Sequence, residues 1–365
     1  MSLEKHIHWF VTSRCDMSCS YCFKPDAHYD ENAERIQELA HVLSSNNVRK
    51  VTIGGGEPLL VKNLDNALRI LKKEDIYVSL HTNGARLNNN RVSQLSELVN
   101  DIALPIDSIS ESVQQELRGE KSVSVFKKLT ELVDKILSKG MKIGYHTVFT
   151  AINHQDILEI YDFIKQKDFD YWRIYEFNDD LARTRFLLVK PRNEAEKQRI
   201  IQVITKIEQL SRLGTPEKGY TDTLFANFLL MEQHMKKHKD KRIQFVGIRD
   251  YSRPNYAFLD NSGDVSFYSW FSYRERRVIG NILRDGFSFV KQKFQELEEK
   301  GWEFDDKGED EFINALYDRP LWARAWDGNY DFEELEEMNG QYYDSFNHLV
   351  ELYNEREKQL ETRPY

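Results

Sequence analysis

The chain has 365 residues, 40% hydrophobic and 30% charged, and its 60 Asp and Glu outnumber 51 Lys and Arg to give a net charge of −9. That balance argues against a broad nucleic-acid surface, which carries a basic stripe. A mean hydropathy of −0.64, with no apolar run long enough to cross a bilayer, argues against a membrane partner. The expectation is a cytoplasmic globular protein.

The first element is an apolar strand over Ile7 to Thr12. It runs into C-D-M-S-C-S-Y-C, which holds Cys15, Cys19 and Cys22, the only 3 cysteines of the chain. An odd count on one short loop is not a disulfide framework, and reduced thiols fit a reducing compartment. A structural zinc site would want a fourth Cys or a His at ligand spacing, for which His28 is the nearby candidate. Thiolates also hold 4Fe-4S clusters, and three of them leave one iron without protein sulfur and open to another ligand. The open iron points to catalysis; an iron-sulfur or zinc sensor is the non-catalytic alternative.

A helix is expected from about Glu31 to Asn46. The β-branched strand Val51-Thr52-Ile53 then runs into Gly54-Gly55-Gly56-Glu57-Pro58, followed by a helical pattern from Lys62 to Lys72. The glycines permit positive φ and close approach of a ligand to the backbone, and Pro58 forces Glu57 into an extended conformation. Ile76 to His81 is a third strand that stops at Thr82-Asn83-Gly84, and Ile102 to Ile106 a fourth that stops at Asp107-Ser108. Small polar groups thus sit at the carboxyl ends of strands, where α/β sheets and barrels keep their ligands, although Asn and Asp also simply favour turns. A helix over Val123 to Lys139, a strand from Met141 to Phe149, a helix from Gln155 to Lys167 and a strand from Tyr171 to Phe177 complete six βα units. Such alternation predicts an α/β fold with a parallel sheet.

The C-x3-C-x2-C spacing, with Tyr21 before the last cysteine and Phe23 after it, together with the downstream GGEP stretch, resembles the radical S-adenosylmethionine (SAM) superfamily. The resemblance covers roughly the first half of the chain and implies a partial (βα)6 radical SAM barrel. It further implies that Cys15, Cys19 and Cys22 ligate a 4Fe-4S cluster whose open iron binds SAM. Gly55, Gly56 and Glu57 would hold the methionyl end, Tyr21 would cover the adenine, and Asn83 and Asp107 would make further SAM contacts. A one-electron reductant such as flavodoxin or ferredoxin would be a partner.

After Phe177 the alternation gives way to helical stretches over about Arg192 to Leu210 and Thr221 to Lys237, separated by a loop with Gly214, Pro216 and Gly219. Two alternating strands follow within Asn255 to Tyr268, joined by an Asn261-Ser262-Gly263 turn, and then Arg277 to Leu283. The expected organisation is a core over 1–180, an extension of helices and β-hairpin over 181–290 that closes the barrel, and an acidic, aromatic helical cap over 291–365.

The extension resembles two radical SAM groups. In peptide-modifying enzymes a similar turn leads to cysteines for an auxiliary cluster, but here Ser266, Ser269 and Ser272 occupy that neighbourhood. In viperin-like enzymes, which dehydrate cytidine triphosphate, a similar Tyr-x-x-Leu-Asp run carries a tyrosine that returns hydrogen to the substrate; the matching residue is Tyr256, which reads equally as an ordinary strand aromatic. The viperin-like resemblance implies substrate-binding residues on the fifth and sixth strands at His146 and Arg173, of which only Arg173 keeps a phosphate-holding cation. Arg183, Arg185 and Lys190 are candidate replacements for the missing charge. The leading expectation is a nucleotide or other small phosphorylated substrate; the alternative is a peptide.

Overall fold

The computed structural model describes residues 3–22, 32–177, 209–210, 212–215, 219–223, 228, 231–232, 235–246, 257–267 and 277–300. The chain divides into two compact units, Met1–Glu176 with Asp240–Trp302, and Phe177–Lys239 with Glu303–Tyr365.

The elements in order are β1 (Ile7–Thr12), α1 (Ala33–Ser45), β2 (Lys50–Gly55), α2 (Leu64–Lys73), β3 (Tyr77–His81), α3 (Asn89–Leu95), β4 (Asp101–Pro105), α4 (Glu111–Arg118) and α5 (Lys121–Ser138). They continue with β5 (Lys142–Phe149), α6 (Ile157–Ile164), β6 (Tyr171–Glu176), β7 (Arg212–Thr215), β8 (Gly219–Thr223), β9 (Ile243–Val246), β10 (Ala257–Asp260), β11 (Asp264–Phe267), β12 (Arg277–Asn281) and α7 (Phe287–Lys300). All strands but β7 and β8 join one 10-stranded sheet in the order β12-β11-β10-β1-β2-β3-β4-β5-β6-β9. From β10 through β9 every pairing is parallel, which is the expected run of βα units with one strand added at each side.

The period-2 alternation of each strand sorts its side chains between two environments. Ile7, Trp9 and Val11 of β1, Ile102 and Leu104 of β4, and Trp172 and Ile174 of β6 are buried on the helix-covered face. Each helix answers with a stripe at helical spacing: Ile36, Leu39, Ala40 and Leu43 on α1, and Leu64, Ala67, Leu68 and Leu71 on α2. α1 starts where it does because the Asn32 side chain accepts from the Glu34 and Arg35 N–H groups, at 2.8 and 3.3 Å. The opposite face is polar, with His8, His81, His146, Tyr171 and Arg173. His81 and His146 lie on β3 and β5, two strand spacings apart or about 9.6 Å on a flat sheet, yet their ring centroids are 4.4 Å apart. The sheet therefore curls with these residues on its concave side, as a partial barrel does.

Three sequence expectations need correction. Gly214 and Gly219, expected in a loop, lie in the antiparallel strands β7 and β8. The helix expected from Thr221 starts later, because Thr221–Thr223 is still strand; Phe228 is the first helical residue among those described after it. β9 was not foreseen, since its four residues lie in a short apolar run among charges. The expected Asn261-Ser262-Gly263 turn is present, with Gly263 at φ +89°, but its first strand pairs with β1, so the hairpin extends the core sheet. Residues 192–208 and 301–365, on which the other helical expectations fall, lie outside the described residues.

Replacing the fully buried Leu39 by alanine is expected to cost about 2–5 kcal/mol in urea unfolding. Leu158→Ala, at a side chain 38% exposed, is expected to cost less than about 1 kcal/mol.

Candidate functional site

The three cysteines leave the carboxyl end of β1 on a loop that is held from two sides. On one side Gly56 N–H donates to the Thr12 carbonyl at 2.6 Å and Glu57 N–H to the Arg14 carbonyl at 2.7 Å, so the glycine turn after β2 zips onto the start of the cysteine loop. This contact explains the glycines: a Cβ at Gly55 would sit 2.3 Å from the Thr12 oxygen and one at Gly56 2.0 Å from the Arg14 oxygen. Gly54 is not under that constraint, since a Cβ there meets only the Phe10 ring at 3.7 Å. On the other side Ser20 donates to the Leu117 carbonyl at the end of α4 through both its N–H, at 2.8 Å, and its hydroxyl, at 3.1 Å. Cys15 and Cys19 are half-buried and Cys22 is exposed. Burial pushes the Cys19 thiol up to about 11.

Glu57 is fully buried, and its carboxylate is spent on the protein. Oε1 accepts from Leu59 N–H at 3.0 Å and from the Thr82 hydroxyl at 2.7 Å, and Oε2 accepts from Asn83 N–H at 2.6 Å. Burial raises its pKa even so, and the three donors oppose that rise. Asn83 carries the link onward: its side-chain amide donates to Asp16 at 2.9 Å and to the Cys15 sulfur at 3.6 Å. The expected SAM residues Gly55, Gly56, Glu57 and Asn83 are thus gathered at the root of the cysteine loop, with the Glu57 side chain acting as a strut and not as a ligand-facing group.

Asp107 takes a different place from the one expected of a ligand contact. It is 1% exposed, with Oδ1 accepting from Val148 N–H at 2.9 Å and Oδ2 from the Tyr21 hydroxyl at 2.5 Å and from Arg118 at 3.1 Å. Arg118 also donates to the Tyr21 oxygen at 2.7 Å. Burial lifts the Tyr21 phenol well above its usual value, and although burial works against the guanidinium, Tyr21, Cys19 and Asp107 hold Arg118 firmly charged. The residue between Cys19 and Cys22 is therefore locked by its phenol end. Sequence reasoning missed Arg118, whose only signal is its place in the last turn of a short helix.

Beneath this edge lies the concave face. His146 and Arg173 are brought together as neighbours in register on β5 and β6. Sequence reasoning missed His81 and His8, which join them: ring centroids are 6.4 Å apart for His8 and His81 and 4.4 Å for His81 and His146. Tyr171 forms a floor, its ring lying across Gly144 where a Cβ would come within 2.1 Å of it, and its hydroxyl donates to Asp101 at 3.0 Å. The Arg173 guanidinium covers that ring at 4.5 Å, and its Nε donates to Gln244 at 3.0 Å. Burial depresses the pKa of His6 to about 3 and those of His8, His81 and His146 well below 6.5, so the imidazoles are neutral beside the Arg173 cation. Tyr256, His28 and the candidate charges Arg183, Arg185 and Lys190 lie outside the described residues.

The donor set suits an iron-sulfur cluster. Three thiols share one loop, the intervening Asp16 carboxylate is committed to Asn83 and Arg86, and an amide N–H points at one sulfur, the kind of hydrogen bond that tunes such clusters. Residues 9–164 match the family described as the Radical SAM superfamily. The match spans less than half of the chain and takes in all three cysteines and the glycine turn after β2. Members of that superfamily use a 4Fe-4S cluster and SAM.

Among curated relatives, an S-adenosylmethionine-dependent nucleotide dehydratase of Lacinutrix mariniflava is 24% identical over 70% of this chain and 49% of its own. A GTP 3′,8-cyclase of Nautilia profundicola is 28% identical over 44% of this chain and 53% of its own. The chain thus spans about half the length of these two relatives. Among solved structures, native anSMEcpe with bound AdoMet superposes with a TM-score of 0.59 at 15% identity, covering 97% of this chain and 98% of that one. A form of the same protein with the Kp18Cys peptide gives 0.57. Among the described residues no helix is long and apolar enough to cross a membrane.

Two outcomes test this geometry. Gly56→Ala should lower the iron bound per chain after anaerobic reconstitution at least severalfold, because the new Cβ displaces the Arg14 carbonyl, whereas Gly54→Ala should leave it unchanged. The four depressed histidines set a pH dependence: the unfolded chain takes up protons near pH 6.5 that the folded chain refuses, so stability present above that pH is lost as pH falls below it. The thermal midpoint at pH 5.5 should therefore lie below that at pH 7.5, and His146→Phe should narrow the gap.

Proposed function

We propose that this chain is a viperin-like radical SAM enzyme acting on a nucleotide or other small phosphorylated molecule in a reducing, cytoplasmic setting. The observation that carries the reading is the polar concave face, where Arg173, in register with the neutral His146, supplies the positive charge that a phosphorylated ligand needs. The nucleotide activities named for two relatives support it.

In this reading Cys15, Cys19 and Cys22 hold the cluster, and the backbone from Gly55 to Glu57 with Asn83 borders the methionyl end of SAM. When bound there, the cluster and SAM would supply one-electron reductive chemistry and hydrogen abstraction from the substrate. The chain's own residues do the positioning. Glu57 fixes the distance between the β2 and β3 ends, Arg118 and Asp107 hold Tyr21 with its ring free to flank the adenine, and the Tyr171 floor keeps the ligand near the loop. Arg173 binds the anionic part of the substrate, and Tyr256 is the hydrogen-returning residue carried over from the viperin-like resemblance. The electron comes from a flavodoxin- or ferredoxin-type donor.

A peptide substrate is the second reading. It is favoured by the peptide-bound form of the structural neighbour, whose fold extends over nearly the whole of this chain.

The readings separate in one assay. Wild type reconstituted with iron and sulfide should form 5′-deoxyadenosine from SAM and dithionite, and Cys19→Ala should form none. A nucleotide triphosphate that accelerates the wild type at least tenfold, and does so far less in Arg173→Ala, is the expected result; acceleration by peptides alone would replace the first reading with the second.

A further inference from the structure

Two polar atoms of the concave face have no place in the account so far. His81 Nε2 and His146 Nε2 are both shielded from solvent and find no hydrogen-bond partner among the described residues. A buried polar atom left unpaired is destabilising, so an adjacent pair of them is a feature to be explained. The two rings are in contact, edge to face with centroids 4.4 Å apart.

Their position says where that group would be. His81 is the last residue of β3, two residues before Asn83, which reaches Cys15. His146 sits directly above the floor, next to Tyr175 at 5.2 Å and in register with Arg173. The pair therefore occupies the gap between the cofactor edge and the floor, where the reacting part of a substrate must be held.

The chemistry narrows the ligand. A neutral imidazole nitrogen is a donor in one tautomer and an acceptor in the other. A hydroxyl satisfies either, because it donates and accepts. A phosphate offers acceptors alone and would draw protons onto imidazoles that burial and Arg173 keep neutral. Two adjacent hydroxyls therefore fit two adjacent imidazoles, while charge belongs with Arg173.

We propose that His81 and His146 form a diol subsite that binds the neighbouring ribose hydroxyls of the substrate beneath the cofactor edge. The inference deepens the nucleotide reading and rests on it. It assigns sugar recognition to a histidine pair and phosphate recognition to Arg173.

The test is binding to the reconstituted, SAM-loaded enzyme by equilibrium dialysis, with the four ribonucleoside triphosphates, their 2′-deoxy counterparts, ribose 5-phosphate and 2-deoxyribose 5-phosphate. At least one ribonucleotide should bind about tenfold or more tightly than its deoxy form. His81→Phe and His146→Phe should abolish that preference while SAM binding stays at the wild-type level, and His146→Gln, which keeps a hydrogen-bonding group, should recover part of it. Arg173→Ala should weaken ribo and deoxy ligands equally. If no nucleotide binds but ribose 5-phosphate is preferred over its deoxy form and the histidine variants lose that preference, the subsite stands and the nucleotide reading falls. A ribo preference that survives in both phenylalanine variants overturns the subsite alone, as does loss of SAM binding in them, which would assign the diol to the cofactor. Binding of none of these ligands overturns both.

Discussion

The Glu57 carboxylate is the interaction on which the rest of the site depends. A carboxylate removed from water is strongly destabilising unless its oxygens are met by donors, and here three donors meet it: Leu59 N–H, the Thr82 hydroxyl and Asn83 N–H. Two of the three belong to the end of β3, so the group can be satisfied only when the exits of β2 and β3 stand at one separation. Asn83, held in this way, presents its amide to Asp16 and Cys15. The same segment places Gly56 and Glu57 N–H on the Thr12 and Arg14 carbonyls. One buried charge thus sets the geometry of three strand ends and of the loop that carries the cysteines.

A second buried charge does comparable work from the other side. Arg118 and Asp107 pair at 3.1 Å, nearly excluded from solvent, with the Tyr21 oxygen between them. A buried ion pair by itself is weak evidence of stability, and the best-attested use of such a pair is to specify one arrangement over its alternatives. Here it selects the orientation of the segment between Cys19 and Cys22, which the Leu117 carbonyl grips through Ser20. The cysteine loop is therefore made rigid by hydrogen bonds to two elements distant in sequence, as preorganised catalysis requires.

The fold was legible wherever a segment carried its own periodicity. The βα alternation from Ile7 to Phe177 is written in apolar runs and glycine turns, and the strands were placed to within a residue or two. β9 was not legible, because four residues are too few for a period, and neither was the β7–β8 pair, because its strands alternate weakly and Gly219 reads as a loop. In the site, the identity of the important residues was legible and their work was not. Glycine in the turn was expected to make room for a ligand, but Gly55 and Gly56 make room for the backbone of the cysteine loop. Asp107 was expected at a ligand and is bound to Tyr21, Arg118 and Val148. Most of these partners lie about 40 or more residues away, and local sequence does not carry them.

The concave face follows from the same alternation and adds a constraint of its own. Strand residues that face away from the helices line a volume enclosed by the curled sheet, and in this chain they are largely His, Tyr, Arg and Lys instead of Val and Leu. Polar residues in an enclosed space need partners, and the lower level finds them: Tyr171 and Ser79 on Asp101, His6 on Thr52. The upper level, at His81 and His146, leaves two nitrogens unmet among the described residues. Sites give up stability where they are built to bind something else, and here that place lies between a cationic floor and the edge that holds the cysteines. A ligand that spans it must carry uncharged hydrogen-bonding groups near the cofactor and negative charge near Arg173. A phosphorylated sugar has that polarity, whereas the polar groups of a peptide backbone are spread evenly along it, which is the physical reason for placing the nucleotide reading first.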